Sequence, residues 1–112
     1  AVRLTTHGVL DLDAISQVVA VALEHGERHG AIRFLVDHRD IALGVSILEI
    51  HELPKLFESQ GLPRYFRVAL LFKPVPKTAE YFRFHENRSA SAGFLQCVFT
   101  DEPEALDWLG RG

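Results

Sequence analysis

The chain has no methionine, and a single cysteine and a single tryptophan stand among its 112 residues. One thiol excludes an intramolecular disulfide. Cys97 lies in the apolar run Phe94-Leu95-Gln96-Cys97-Val98-Phe99, which fits a small hydrophobe in a strand core. No apolar run approaches the roughly 20 residues that span a bilayer, and no signal peptide is visible. A cytoplasmic protein is expected, with peripheral association at a membrane allowed. There is no global basic excess either: a net charge of −3 creates no field that draws nucleic acid to the whole molecule. Glycine-rich phosphate loops and a nucleophile set beside a base are missing. No catalytic residue, cofactor, metal site or nucleic-acid partner is therefore expected.

What is present is material for one core. With 47 % apolar and 24 % charged residues, a chain of this length reads as a single soluble globular domain. Residues 31–37, Ala-Ile-Arg-Phe-Leu-Val-Asp, form an apolar strand with Gly30 before it and the polar loop His38-Arg39-Asp40 after it. A strand apolar on both faces needs cover on both sides, and helical patterns flank it. Ligands of open parallel sheets sit beyond the carboxyl ends of the strands, which here means Asp37 to Ser46.

Val2 to Thr6 alternates in the manner of a half-buried strand, and His7-Gly8 turns it. Val9-Leu10 leads on to Asp11 or Asp13 as cap of a helix over Ala14 to His29. Its stripe is Ile15, Val18, Val19, Ala22 and Leu23, with Gly30 as stop. After the central strand, Ile41-Ala42-Leu43-Gly44-Val45 reads as an apolar loop. Ile41 and Leu43 either fold back onto the core or line a pocket or contact surface. Ser46-Ile47-Leu48-Glu49 is a capping-box pattern ahead of the stripe Ile47, Ile50, Leu53, Leu56 and Phe57. Pro54 interrupts that stripe, which predicts a kinked helix or two short ones. This segment is the candidate mobile lid over the carboxyl edge.

Val68 to Phe72 is a second apolar strand, closed by Lys73-Pro74-Val75-Pro76-Lys77. Lys77 or Thr78 opens a helix to about Ala92. Its Tyr81, Phe82 and Phe84 cannot share one narrow stripe, so at least one should be partly exposed. Gly93 ends it and Phe94 to Phe99 forms the last strand. Thr100 or Asp101 then caps a final helix with Pro103 in its first turn, and Ala105, Leu106, Trp108 and Leu109 should seal the core. The order β-α-β-α-β-α-β-α predicts an α/β fold. Its sheet is four-stranded and mainly parallel, a mixed sheet being allowed, with flanking helices and right-handed crossovers.

Four segments carry a resemblance: FLVDHRD, GVSILEIHELPKLF, RYFRVALLF and CVFTDEPEALDWL, in that order. Together they resemble the SpoIIAA-like family, which is related to STAS domains and compared in structure with CRAL-TRIO lipid-binding domains. The likeness runs from about Gly8 to Leu109. It is most specific in Val98-Phe99-Thr100-Asp101-Glu102 with Ala105-Leu106 and Trp108-Leu109. It implies a non-enzymatic domain of regulatory, ligand-binding or membrane-associating role. In the STAS anti-sigma-factor antagonists, a serine at the start of the helix after the central strand is phosphorylated to break partner binding. Ser46 stands at that place, although its loop lacks the Asp-Ser-Ser-Gly sequence of the switch, and Ser-x-x-Glu supports a capping role instead.

His25 and His29 lie four apart on one helix, a metal-capable spacing with no third ligand, and read as surface histidines. Asp37, His38, Arg39 and Asp40 read as a solvated ion-pair group. Charge is unevenly spread. Residues 62–92 hold six bases against two acids, a net of +4, whereas residues 8–61 hold four against nine, a net of −5. Basic residues interleaved with aromatics suit an anionic membrane surface, with Lys73, Lys77, Tyr81, Arg83, Phe84 and Arg88 as candidate contacts. Asp37, Ile41, Leu43, Ser46 and Ile50 form the candidate ligand or partner surface. The expected partners are another protein or a small apolar ligand, and a homodimer is allowed. A protein partner would use exposed apolar loop residues without a cavity, whereas a carrier needs an enclosed apolar pocket.

Overall fold

Parallel strands can be joined only by crossovers, and each sheet connection of this chain contains a helix. The computed structural model describes residues 1–111. In chain order its elements are β1 (Val2–Thr5), β2 (Gly8–Leu10), α1 (Leu12–His29), β3 (Arg33–Asp37), β4 (Ile41–Leu43) and α2 (Ile47–Gln60), followed by β5 (Arg67–Leu71), α3 (Pro76–Ser91), β6 (Leu95–Phe99) and α4 (Glu102–Gly110). The main sheet has the order β1-β3-β5-β6, and all its pairings are parallel, so the allowance for a mixed sheet is not used.

That order advances in one direction. Crossovers of one hand then place α1, α2 and α3 on the same face. Val19 and Ala22 of α1, Leu53 and Phe57 of α2, and Phe82 of α3 accordingly pack with Phe34, Val36, Val68 and Leu70. The alternate strand residues Leu35, Ala69 and Leu71 face the other way and meet only Ala105 and Leu109 of α4 among fully buried side chains. Arg67 holds this last helix down. It donates two hydrogen bonds to the Trp108 carbonyl at 2.8 and 3.0 Å, and its guanidinium lies 4.1 Å from the Trp108 ring centroid.

Local chemistry sets the helix ends. Asp11 and Asp101 each accept a backbone N–H three residues on. Ser46 and Glu49 form a reciprocal capping box at 3.1 and 2.9 Å. Gly30 stops α1 at φ 65°, a left-handed conformation that glycine adopts without steric cost. α3 begins earlier than the sequence predicts, at Pro76, which needs no amide partner in a first turn.

Two expectations are corrected and one alternative is decided. Residues 41–43 are a strand, β4, not a loop, and β4 pairs in parallel with β2, where residues 9–10 were read as a lead-in. Three-residue strands are too short to show a period. Gly44 lets this pair sit against the start of α1, since a Cβ there would collide with Val9 Cγ1. α2 runs unbroken from Ile47 to Gln60, with Pro54 buried inside it, rather than dividing in two. Leu106 does not seal the core: it is 45 % exposed, because α4 turns only its Ala105–Leu109 side to the sheet.

Candidate functional site

Between the three-helix layer and the sheet lies a cavity of about 90 Å³. Its floor is the strand face that carries Phe34, Val36, Val68 and Leu70, and its roof is the inner face of α2, Ile50, Leu53 and Phe57. Of the residues that line it, Ile15, Val18, Leu43 and Tyr81 are half-buried, so the cavity approaches solvent near the carboxyl edge of the sheet. Aliphatic and aromatic side chains dominate the wall. The polar groups on it are few.

Besides the half-buried Tyr81, those groups are His38, His85 and Gln96, all buried. His38 is the residue after β3. The Thr6 hydroxyl lies 2.7 Å from its Nδ1, and Phe82 packs beside its ring. Burial, with help from the neighbouring His85, pushes the His38 pKa down to about 4, so the ring is neutral at physiological pH. His85 projects from the buried stripe of α3 and its Nε2 lies 2.7 Å from Gln96 Oε1 on β6. Burial lowers its pKa as well. The Nδ1 of His85 is buried without a hydrogen-bond partner among the described residues. The neutral imidazole of His85 lines the apolar cavity, but its unpaired nitrogen is itself fully covered.

Comparison of the chain with family models, with curated proteins and with solved structures returns no match. The site must be read from its own chemistry.

Two of the expected surface residues, Leu43 and Ile50, line the cavity, and Tyr81, expected as a membrane contact, lines it too. Ile41 packs against the same core without lining the cavity. Ser46 is exposed at the helix cap. Asp37 lies on the opposite face. Strand alternation turns Asp37 toward α4 and the next residue, His38, toward the cavity. Asp37 is bound by Arg39 through the backbone N–H and two guanidinium nitrogens at 2.8–3.0 Å and by Arg3 at 2.8 Å. Hydrogen bonding to Arg39 holds its carboxyl far below the usual carboxylate range. Glu102 at the start of α4 pairs with both arginines. Of the group expected to be solvated, Asp40 is exposed, whereas Asp37 and Arg39 join Arg3 and Glu102 in a clasp of β1, β3 and α4.

The basic aromatic segment does not form one surface. Lys77, Tyr81, Phe84 and Arg88 fall on one side of α3 at spacings of four, three and four. That side leans on α2: Phe84 stacks on His51 at 6.4 Å, and Arg88 donates to the His51 carbonyl at 3.2 Å. Phe82 is buried while Tyr81 and Phe84 are half-buried, in keeping with the expected partial exposure. Arg83 and Lys73 point to solvent elsewhere. No helix among the described residues is long and apolar enough to cross a membrane.

Sequence reasoning missed His38, His85 and Gln96 as a group. One signal was available for the last two. His85 falls on the Phe82–Ser89 stripe at helical spacing, and Gln96 is the one polar residue in an otherwise apolar strand.

Proposed function

We propose that this chain is a non-catalytic, SpoIIAA-like binding domain whose regulatory input is a small, mainly apolar molecule held between the helix layer and the sheet. The observation that carries this reading is the apolar cavity with a buried, half-paired histidine in its wall. It favours the carrier or sensor over a domain that only docks a protein. Size limits the occupant. A void of about 150 Å³ accommodates benzene, so about 90 Å³ suits a molecule smaller than benzene, such as a short branched chain, admits a ring only if α2 shifts, and excludes a lipid tail. α2 roofs the cavity and would move with its contents. Because Ile47 and Leu48 at its start are exposed, Leu48 by 71 %, such movement would be passed to a protein partner there. We place the domain in the cytoplasm on the same reading.

Native mass spectrometry of protein purified without detergent, joined to methyl NMR under benzene or xenon, tests this. The expected result is a co-purified small molecule, or methyl shifts at Val36, Leu53 and Leu70. A bare mass together with unshifted methyls removes the proposal.

A second reading, reversible docking on an anionic membrane, is favoured by one loop. Lys73, Pro74, Val75, Pro76 and Lys77 are all exposed, and Val75, 50 % exposed, is an apolar tip between two lysines. Each lysine near anionic lipid contributes about 1 kcal/mol. Co-sedimentation with anionic vesicles at low salt, lost at high salt and in Lys73→Glu/Lys77→Glu, is the expected outcome. Unaltered sedimentation of that variant would exclude the loop.

A further inference from the structure

α2 is held to the molecule unevenly along its length. Its second half has several ties. Gln60 Nε2 donates to the Ser16 carbonyl of α1 at 3.0 Å, and Glu58 pairs with Arg64 at 2.7 Å. Phe57 packs edge-on against His85 and Phe94 at 5.9 and 5.5 Å. Residues 47–53 have less. Among the described residues, Arg88 of α3 is the one group outside α2 and its cap that hydrogen-bonds to them, through Nε and Nη2 to the His51 carbonyl at 3.3 and 3.2 Å. Phe84, one turn earlier, stacks on the His51 ring. The carbonyl and the ring of one exposed residue thus carry the hold of α3 on this half.

The halves meet at Pro54. Proline has no N–H, so the Ile50 carbonyl, four residues back, loses its helical donor and the ladder of α2 misses a rung there. Ile50 and Leu53 are the buried residues ahead of that point, and both line the cavity. Side chains that border a void have fewer contacts to lose on moving than side chains in a filled core.

We propose that residues 47–53 are a gate, hinged at Pro54 and latched by Arg88 and Phe84 on His51, and that molecules too large for the closed cavity enter when the latch releases. The inference rests on the cavity being a binding site. It adds the way in and the residues that control it. Benzene needs the movement, whereas xenon, a single atom, does not.

Methyl relaxation dispersion of the free protein, which reads the population of the open form, is joined to the rates of benzene and xenon binding. Benzene entry scales with that population. In Arg88→Ala the open population at Ile50 and Leu53 and the rate of benzene entry should both rise about tenfold. The Leu56 methyls and the affinity for xenon should not change. Pro54→Ala, which gives the Ile50 carbonyl a donor, should lower both. A rise shared equally by Leu56 would mean general loosening and would overturn the gate. Benzene that fails to bind where xenon binds, or that enters Arg88→Ala no faster, would overturn the gate and leave the cavity reading standing. If neither compound binds, both fall. Should Arg88→Ala not fold, Pro54→Ala decides, and an open population that does not drop there would overturn the gate.

Discussion

Asp37 and His38 are neighbours in sequence, yet they belong to opposite faces of one sheet and are managed by opposite means. On the α4 face, Asp37 is held ionised by Arg39 and Arg3 inside a clasp that Glu102 closes. On the helix-layer face, burial keeps His38 and His85 uncharged beside a cavity. A group with partners keeps its charge, and a group without them gives it up. The clasp face has one small core under a single helix. The cavity face has three helices and an incomplete filling. On the proposed reading, one side is architecture and the other would hold the ligand.

The largest perturbation of this contrast comes from the cavity floor. Phe34 is fully buried, and Phe34→Ala should cost about 4 kcal/mol by enlarging a void that is already present. Urea unfolding should show a lower midpoint at an unchanged m value. A cost below about 1 kcal/mol would mean that the helix layer collapses into the space, and that the cavity is not rigid.

Titration separates the faces next. The folded pKa of His38 lies near 4, below the ordinary 6.5 of the unfolded chain, so the unfolded state takes up a proton first as pH falls. The stability that neutral His38 contributes is complete above about pH 6.5 and is lost as pH falls toward 4, by about 3 kcal/mol. His85 acts in the same direction. Asp37 has the reverse chemistry but a lower window: its contribution is present above about pH 4 and is lost only as pH falls further, through its depressed folded pKa. Denaturant midpoints between pH 7 and 4.5 should therefore fall, and fall less in His38→Gln. An identical slope in that variant would take His38 out of the account.

Asp37→Asn comes third. It keeps the shape of the clasp but removes the charge facing Arg3 and Arg39, and should cost about 2 kcal/mol at pH 7. Cavity ligands should bind to it unchanged. A tenfold loss of ligand affinity would erase the distinction between the faces. Smallest is Ser46→Ala, at about 1 kcal/mol for the lost cap, with Ser46→Asp milder because aspartate also caps. If Ser46→Asp abolished a partner interaction at unchanged stability, Ser46 would be a switch as well as a cap.

Much of this was legible from the chain, because the relevant signals are local. The Ile15–Leu23 stripe closed by Gly30, the Ser46–Glu49 box and the Asp101–Pro103 start each carry their own stereochemistry, and each helix lies where they put it. The β2–β4 pair was hidden since three residues show no period. Strand order was hidden because a crossover length says that strands are parallel, not which are adjacent. Pro54 left a kinked helix and two short ones both open, and the burial of Leu53 and Phe57 on either side of it keeps α2 in one piece. The cavity's polar group was hidden for another reason. His85 and Gln96 are eleven residues apart and meet only once α3 lies on β6. Asp37 and His38 were read as one loop cluster, whereas the strand's alternation of faces continues one residue past its last ladder bond.

The linear strand order also matters for how the molecule is made. Each new strand joins the edge left by the one before, β3 on β1, β5 on β3 and β6 on β5, so the sheet can grow as the chain leaves the ribosome. The helix layer accompanies that growth, since α1, α2 and α3 are synthesised between the strands they cover. The far face has no such escort. Leu35, Ala69 and Leu71 wait bare until α4, the last of the described elements, arrives to cover them. A nascent chain halted before Glu102 thus presents a finished sheet with one greasy side, the form in which it is most open to chaperones and to association with its own kind.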